Sequence, residues 1–177
     1  LQTNGTMLDE DWARFLKQHR FLVGLSIDGP REIHDHYRIT KRAEPTFDKV
    51  FAAAKMLHKH GVRFNTLTCV HRYNASKPLD VYRFLRREVG STYIQFIPIV
   101  EIKGFENIAP GAWDTANLPI VGDPRCHPDH PESVVTPWSV AADEYASFVS
   151  YISDDSLSLH VGLPLYNHCR TIERADG

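Results

Sequence analysis

The sequence predicts an α/β fold built on a parallel sheet. Apolar runs of strand length alternate with amphipathic helical stretches, the turns between them are short, and the runs lack the polar alternation of a half-exposed strand. The chain opens with the tail of a strand ending near Gln2-Thr3. Leu8, Trp12, Phe15 and Leu16 then share a helical face, with Asp9, Glu10 and Asp11 favouring its N-terminal end. Phe21 to Ile27 reads as a strand buried on both faces, followed by a polar, charged loop from Asp28 to Ala43. Thr46 caps a helix whose face is Phe47, Val50, Ala54 and Leu57 and which ends at Gly61. Val62 to Val70 is the next strand, Ser76 and Pro78 open a helix reaching about Glu88, and Tyr93 to Val100 is the last strand. Glu101 to Val135 has no sustained period and reads as a long connecting insertion. Thr136-Pro137 begins a final helix through Tyr145 and Phe148. Right-handed crossovers place the helices outside the sheet.

At 177 residues with 42% hydrophobic content, the chain is long enough for one domain with a real core. The formal net charge of −2 argues against a nucleic-acid or anionic-membrane surface. No apolar run approaches the roughly 20 residues that span a bilayer, and no signal-peptide pattern opens the chain. Cys69, Cys126 and Cys169 are odd in number and widely spaced, so they form no disulfide framework and the default compartment is a reducing cytosol. Leu1 lies inside the end of a strand with no initiator Met, and Ala175-Asp176-Gly177 closes without a helix, so the chain reads as a fragment.

Function concentrates where strands end. Gln2-Thr3-Asn4-Gly5 and Leu25-Ser26-Ile27-Asp28-Gly29-Pro30 are Gly-containing turns that follow strands, with Arg38 beyond the second. In parallel β/α folds these C-terminal strand ends bind ligands. The stretch from Leu1 to about Val100 resembles the middle of the anaerobic sulfatase-maturating enzymes of the radical S-adenosylmethionine (SAM) superfamily. The resemblance lies in Gln2 to Thr6, Phe21 to Pro30, Thr46-Phe47-Asp48, Phe64 to Thr68, Val81 to Leu85 and Gln95 to Pro98. It implies that residues 1–100 are the later half of a partial (β/α)6 barrel, 101–135 a connecting insertion, and 136–177 a helix and tail leading toward a further domain. After about Val149 the resemblance stops.

The resemblance implies oxidation of a Cys or Ser side chain of a sulfatase to Cα-formylglycine, with SAM cleaved at a 4Fe–4S cluster and an electron donor such as flavodoxin or ferredoxin. It places SAM contacts on Ser26, Arg38 and Val100. The residue types suit that role. A strand-end hydroxyl can bond the ribose or amino-acid groups, and an Arg can hold a carboxylate through its planar fork. Gln2 and Asn4 either orient ligand from the same edge or form a turn around Gly5. Asp28 and Gln95 are further candidate contacts. The cluster signature Cys-x3-Cys-x2-Cys does not occur in the sequence, and no catalytic residue is assignable. Cys69 reads as a small hydrophobe in a buried strand.

The histidines suggest metal but fit it poorly. His34 and His36 flank Asp35 in the polar loop, His58 and His60 end a helix, and Cys126, His127 and His130 offer at most three of the four donors of a zinc site. Solvent-exposed loop His is the better account, and no metal ligand is assigned. Rival readings are another peptide-modifying radical SAM enzyme, a non-catalytic peptide-binding remnant and a metal-dependent barrel hydrolase.

Overall fold

The computed structural model describes residues 1–104, 120 and 122–155. Its centre is a four-stranded parallel sheet with strands in chain order: β1 (Gln2–Thr3), β2 (Leu22–Ser26), β3 (Arg63–Val70) and β4 (Ile94–Pro98). Between them run α1 (Glu10–Gln18), α2 (Arg31–Tyr37), α3 (Phe47–Lys59), α4 (Arg72–Ala75) and α5 (Pro78–Arg83). A π-helical turn, Phe84–Glu88, extends α5, and α6 (Ala142–Asp155) follows the insertion. This is the expected α/β architecture, a parallel sheet whose strands are connected through helices.

Two faces emerge from the register. Pairing aligns Gln2 with Gly24, Gly24 with Asn65, Ser26 with Leu67, Leu67 with Gln95 and Cys69 with Ile97. Because side chains alternate along a strand and paired residues point the same way, these residues share one face. A Cβ placed on Gly24 would meet the Leu67 side chain at 2.9 Å and that of Gln2 at 3.3 Å, which fits that shared direction. Val23, Leu25, Ile27, Phe64, Val70 and Phe96 take the other face and form the core with Leu16, Val50, Leu57, Val81, Leu85 and Phe148.

Several boundaries move, each for a local reason. The expected polar loop after Asp28 contains α2, whose inward residues are only Ile33 and His34, too few to show a helical period. The helix expected from Thr136 begins at Ala142 instead. The backbone of 136–140 is tied to the end of β4, with Thr136 N donating to Glu101 O and Val140 N to Ile99 O. Thr46 precedes α3 but its hydroxyl donates to Arg38 O, while the Asp35 carboxylate accepts from Thr46 N and Phe47 N. On α1 the buried residues are Ala13 and Leu16, whereas Trp12 and Phe15 are 49% and 44% exposed and pack edge to face. The helix expected to reach Glu88 widens at Phe84, where a longer turn buries Phe84 and Leu85 together. Much of the insertion (residues 105–119 and 121) and the tail from residue 156, Cys169 included, lie outside the described residues.

Gly5 shows how tightly the β1 turn meets the core. Its φ is +75°, and a Cβ there would lie 2.6 Å from Leu25 Cδ1. Gly5→Ala therefore combines a left-handed backbone with overpacking and is expected to cost about 2–4 kcal/mol. Urea melts of the full-length protein check this; a loss under about 1 kcal/mol would show that the turn relaxes freely.

Candidate functional site at the C-terminal strand ends

The last residues of β2 and β3 lead into a compact polar cluster. Asp28 is 2% exposed, two residues past β2. Its carboxylate accepts from Arg38 Nε at 2.6 Å, from Arg38 Nη2 at 3.0 Å and from the Cys69 backbone N at 2.8 Å. Arg38 Nη2 also reaches Cys69 Sγ at 3.4 Å. Burial opposes the guanidinium charge, and the Asp28 carboxylate outweighs that and holds the group more firmly protonated than usual. Burial pushes the Cys69 thiol up to about 11, with Asp28 adding to the shift. The thiol therefore stays protonated and is no ready thiolate ligand.

Arg38 is thus not the loop charge expected from its polar neighbours. It caps the C-terminal end of α2, its backbone N donates to His34 O, and its side chain is only 25% exposed. The cause is Asp28, a buried carboxylate that only a fork of donors satisfies.

His34 corrects a second expectation, since it is fully buried rather than exposed in a loop. Burial lowers its pKa to about 4, so the ring is neutral. Nδ1 accepts from Asp28 N at 3.4 Å, which leaves Nε2–H to donate to Thr46 Oγ1 at 3.1 Å. Thr46 in turn donates to Arg38 O. This one-way chain ties the backbone at both partners of the ion pair to one ring. His71 is also buried and lies one residue past β3, at a position that nothing in the sequence spacing marks.

The other candidates distribute along the same edge. Ser26 is half-buried at the end of β2, in one row with Leu67 and Gln95. Gln2 shares their face one row lower, through its pairing with Gly24. Asn4 closes a turn, its Oδ1 accepting from Thr6 N at 3.1 Å and Thr6 Oγ1 at 3.0 Å. Val100 follows β4 and is 60% exposed. Neither Asn4 nor Val100 touches the Asp28–Arg38 pair in the hydrogen-bond and ion-pair geometry.

Other histidines sit elsewhere. His58 bonds Val89 O at 2.8 Å, His60 pairs with Glu10, and the rings of His127 and His130 accept from the backbone of Asp129 and Glu132. Among the described residues no group of three or more His, Cys, Asp or Glu is arranged to hold a metal ion. A concavity of about 420 Å³ lies at the opposite, N-terminal ends of the strands, against Leu22, His58, Arg63, Asn65 and Tyr93. It lacks the converging charged groups of the C-terminal edge, which makes that edge the better candidate.

Comparison with known proteins bears on the same region. Residues 1–85 match the family model described as the Radical SAM superfamily, and this span contains β1 to β3 with the whole Asp28–Arg38–Cys69 cluster. The solved structure described as native anSMEcpe with bound AdoMet and Cp18Cys peptide superposes with a TM-score of 0.64 at 33% identity, over 88% of this chain and 36% of that one. Over residues 1–85 the chain is similar to the radical SAM superfamily. It is 37% identical over 163 residues to the serine-type anaerobic sulfatase-maturating enzyme of Bacteroides thetaiotaomicron, covering 92% of this chain and 36% of the relative. It is 44% identical over 111 residues to the cysteine-type enzyme of Clostridium perfringens strain 13, covering 60% of this chain and 30% of the relative. The chain therefore spans about a third of the length of the relatives it matches. Among the described residues, no helix is long and apolar enough to cross a membrane.

Proposed function

We propose that this chain is part of a cytoplasmic sulfatase-maturating radical SAM enzyme that oxidises a Cys or Ser side chain of a sulfatase to Cα-formylglycine. The observation that carries the reading is the Asp28–Arg38–Cys69 cluster at the C-terminal edge of the parallel sheet, within the span matching the family. A relative solved with AdoMet and a peptide supports both ligands.

The residues of this edge suit SAM. Arg38 presents donors fixed by Asp28, and Ser26 ends β2 two residues before Asp28 with a hydroxyl to offer. They do not suit a 4Fe–4S cluster, because Cys69 is held as a neutral thiol and Cys126 is exposed and distant in the chain. No step is assigned to the cluster from these residues. When bound, SAM supplies the one-electron chemistry that removes a hydrogen from the target carbon. This chain's contribution is binding and orientation. The one-way hydrogen-bond chain through His34 fixes the backbone of Arg38, and Gln2, Ser26 and Gln95 share the sheet face that carries Cys69, the Arg38 contact. A redox partner such as flavodoxin or ferredoxin would deliver the electron.

The test uses the full-length, anaerobically reconstituted enzyme with SAM, a reductant and sulfatase-derived peptides carrying Cys or Ser at the target position. Mass spectrometry should show the aldehyde: loss of two hydrogens from Ser, or replacement of the Cys thiol by the aldehyde oxygen. Cleavage of SAM with both peptides left intact would contradict the sulfatase assignment.

A further inference from the structure

His71 stands in extended conformation between β3 and α4. The residue is 3% exposed; its side chain stands over the Asn74 N–H at the start of α4, and neither ring nitrogen makes a hydrogen bond of good geometry among the described residues. His34, equally buried in the same region, has both nitrogens engaged. A buried polar atom without a partner lowers stability relative to an apolar ring of similar size, so its presence calls for a reason.

Its position supplies one. His71 follows Cys69, the thiol that Arg38 reaches, by two residues, and Asp28, His36 and Arg38 all act on it electrostatically. The Tyr37 ring packs edge-on against it at 4.5 Å, with His36 and Tyr73 each at 6.4 Å. Tyr37 is 43% exposed and is the last residue of α2, immediately before Arg38. The cover over the imidazole is thus a partly exposed ring at the edge of the ion-pair cluster.

We propose that His71 is a cofactor-binding residue: a ring nitrogen hydrogen-bonds a hydroxyl or carboxylate oxygen of SAM when Tyr37 turns aside. The proposal rests on the SAM reading of the preceding section. A neutral imidazole carries one donor and one acceptor, so it can serve a carboxylate through its N–H or a ribose hydroxyl through either nitrogen. Binding would then give at least one of the two ring nitrogens a well-formed hydrogen bond.

The experiment compares reconstituted full-length parent, His71→Phe and His71→Gln by thermal melting and by anaerobic calorimetric titration with SAM alone and with a sulfatase peptide alone. His71→Phe fills the same space without polar atoms. It should melt at or above the parent temperature, bind SAM about tenfold more weakly and bind peptide unchanged. His71→Gln keeps a donor and an acceptor and should bind SAM within about threefold of the parent. Parent-like SAM affinity in His71→Phe, or a loss confined to the peptide, overturns the proposal. Should His71→Phe melt lower, His71→Gln decides: retained SAM affinity supports the proposal, and an equal loss overturns it. A parent that fails to bind SAM overturns the functional reading and this inference together. A parent that binds SAM as well as His71→Phe does overturns this inference alone.

Discussion

Arg38→Ala is expected to lower the unfolding free energy by about 3–5 kcal/mol, because it leaves the Asp28 carboxylate buried without its counter-charge. It is also expected to weaken SAM binding by about one to two decades through loss of a charge-assisted hydrogen bond. The two effects separate in the double variant Asp28→Asn/Arg38→Leu. The introduced amide would still accept from Cys69 N without being charged, so much of the stability should return while SAM affinity stays low. Urea melts and anaerobic titration of the full-length protein measure the two quantities. Parent-like SAM affinity in the double variant would remove Arg38 from the site and leave it a purely structural partner of Asp28.

Acid is expected to destabilise the ligand-free fold through its two buried imidazoles. Burial lowers His34 and His71 to about 4 from an ordinary 6.5. Between those values the unfolded chain binds protons that the folded one excludes, so stability is full above about 6.5 and falls as the pH drops toward about 4. From about pH 7.5 to about pH 5 the loss is about 2 kcal/mol for each ring. Urea midpoints across that range should fall, and His34→Gln should remove about half of the slope, since only His71 then remains. Stability that stays flat from about pH 7.5 to about pH 5 would show that both rings are protonated in the fold at little cost.

These two expectations mark what the sequence could and could not reveal. The strand-length run Phe21 to Ile27 announces a strand, although only Val23, Leu25 and Ile27 are buried while Phe21 and Leu22 are exposed, and the helix with Phe47, Val50, Ala54 and Leu57 announces its face. Strand order and parallel pairing follow from the alternation, because each crossover carries a helix. The site was legible only in outline. Ser26 and Arg38 could be named from a strand end and a motif, yet the partner of Arg38 could not, since the Asp28–Arg38 pair depends on α2, whose two inward residues give no period. His34 reads as a polar loop residue until α2 exists to bury it, and its role then comes from Thr46 and the backbone of Asp28. His71 carries no local signal at all. Its meaning lies in two ring nitrogens without a well-formed hydrogen bond, packed against a ring from another element. Trp12 and Phe15 failed in the opposite sense: their apolar character suggested burial, but one rotation step along α1 places Ala13 and Leu16 inward.

The central claim is that SAM binds at the C-terminal ends of β2 and β3, against Ser26 and Arg38. An anaerobic crystal structure of the full-length protein with SAM tests it most directly. The account predicts ligand density on that edge, with an oxygen of SAM within hydrogen-bond distance of the Arg38 guanidinium or the Ser26 hydroxyl. Density in the concavity at the opposite ends of the strands, against Leu22, Arg63 and Tyr93, with the Asp28–Arg38 cluster untouched, would contradict it.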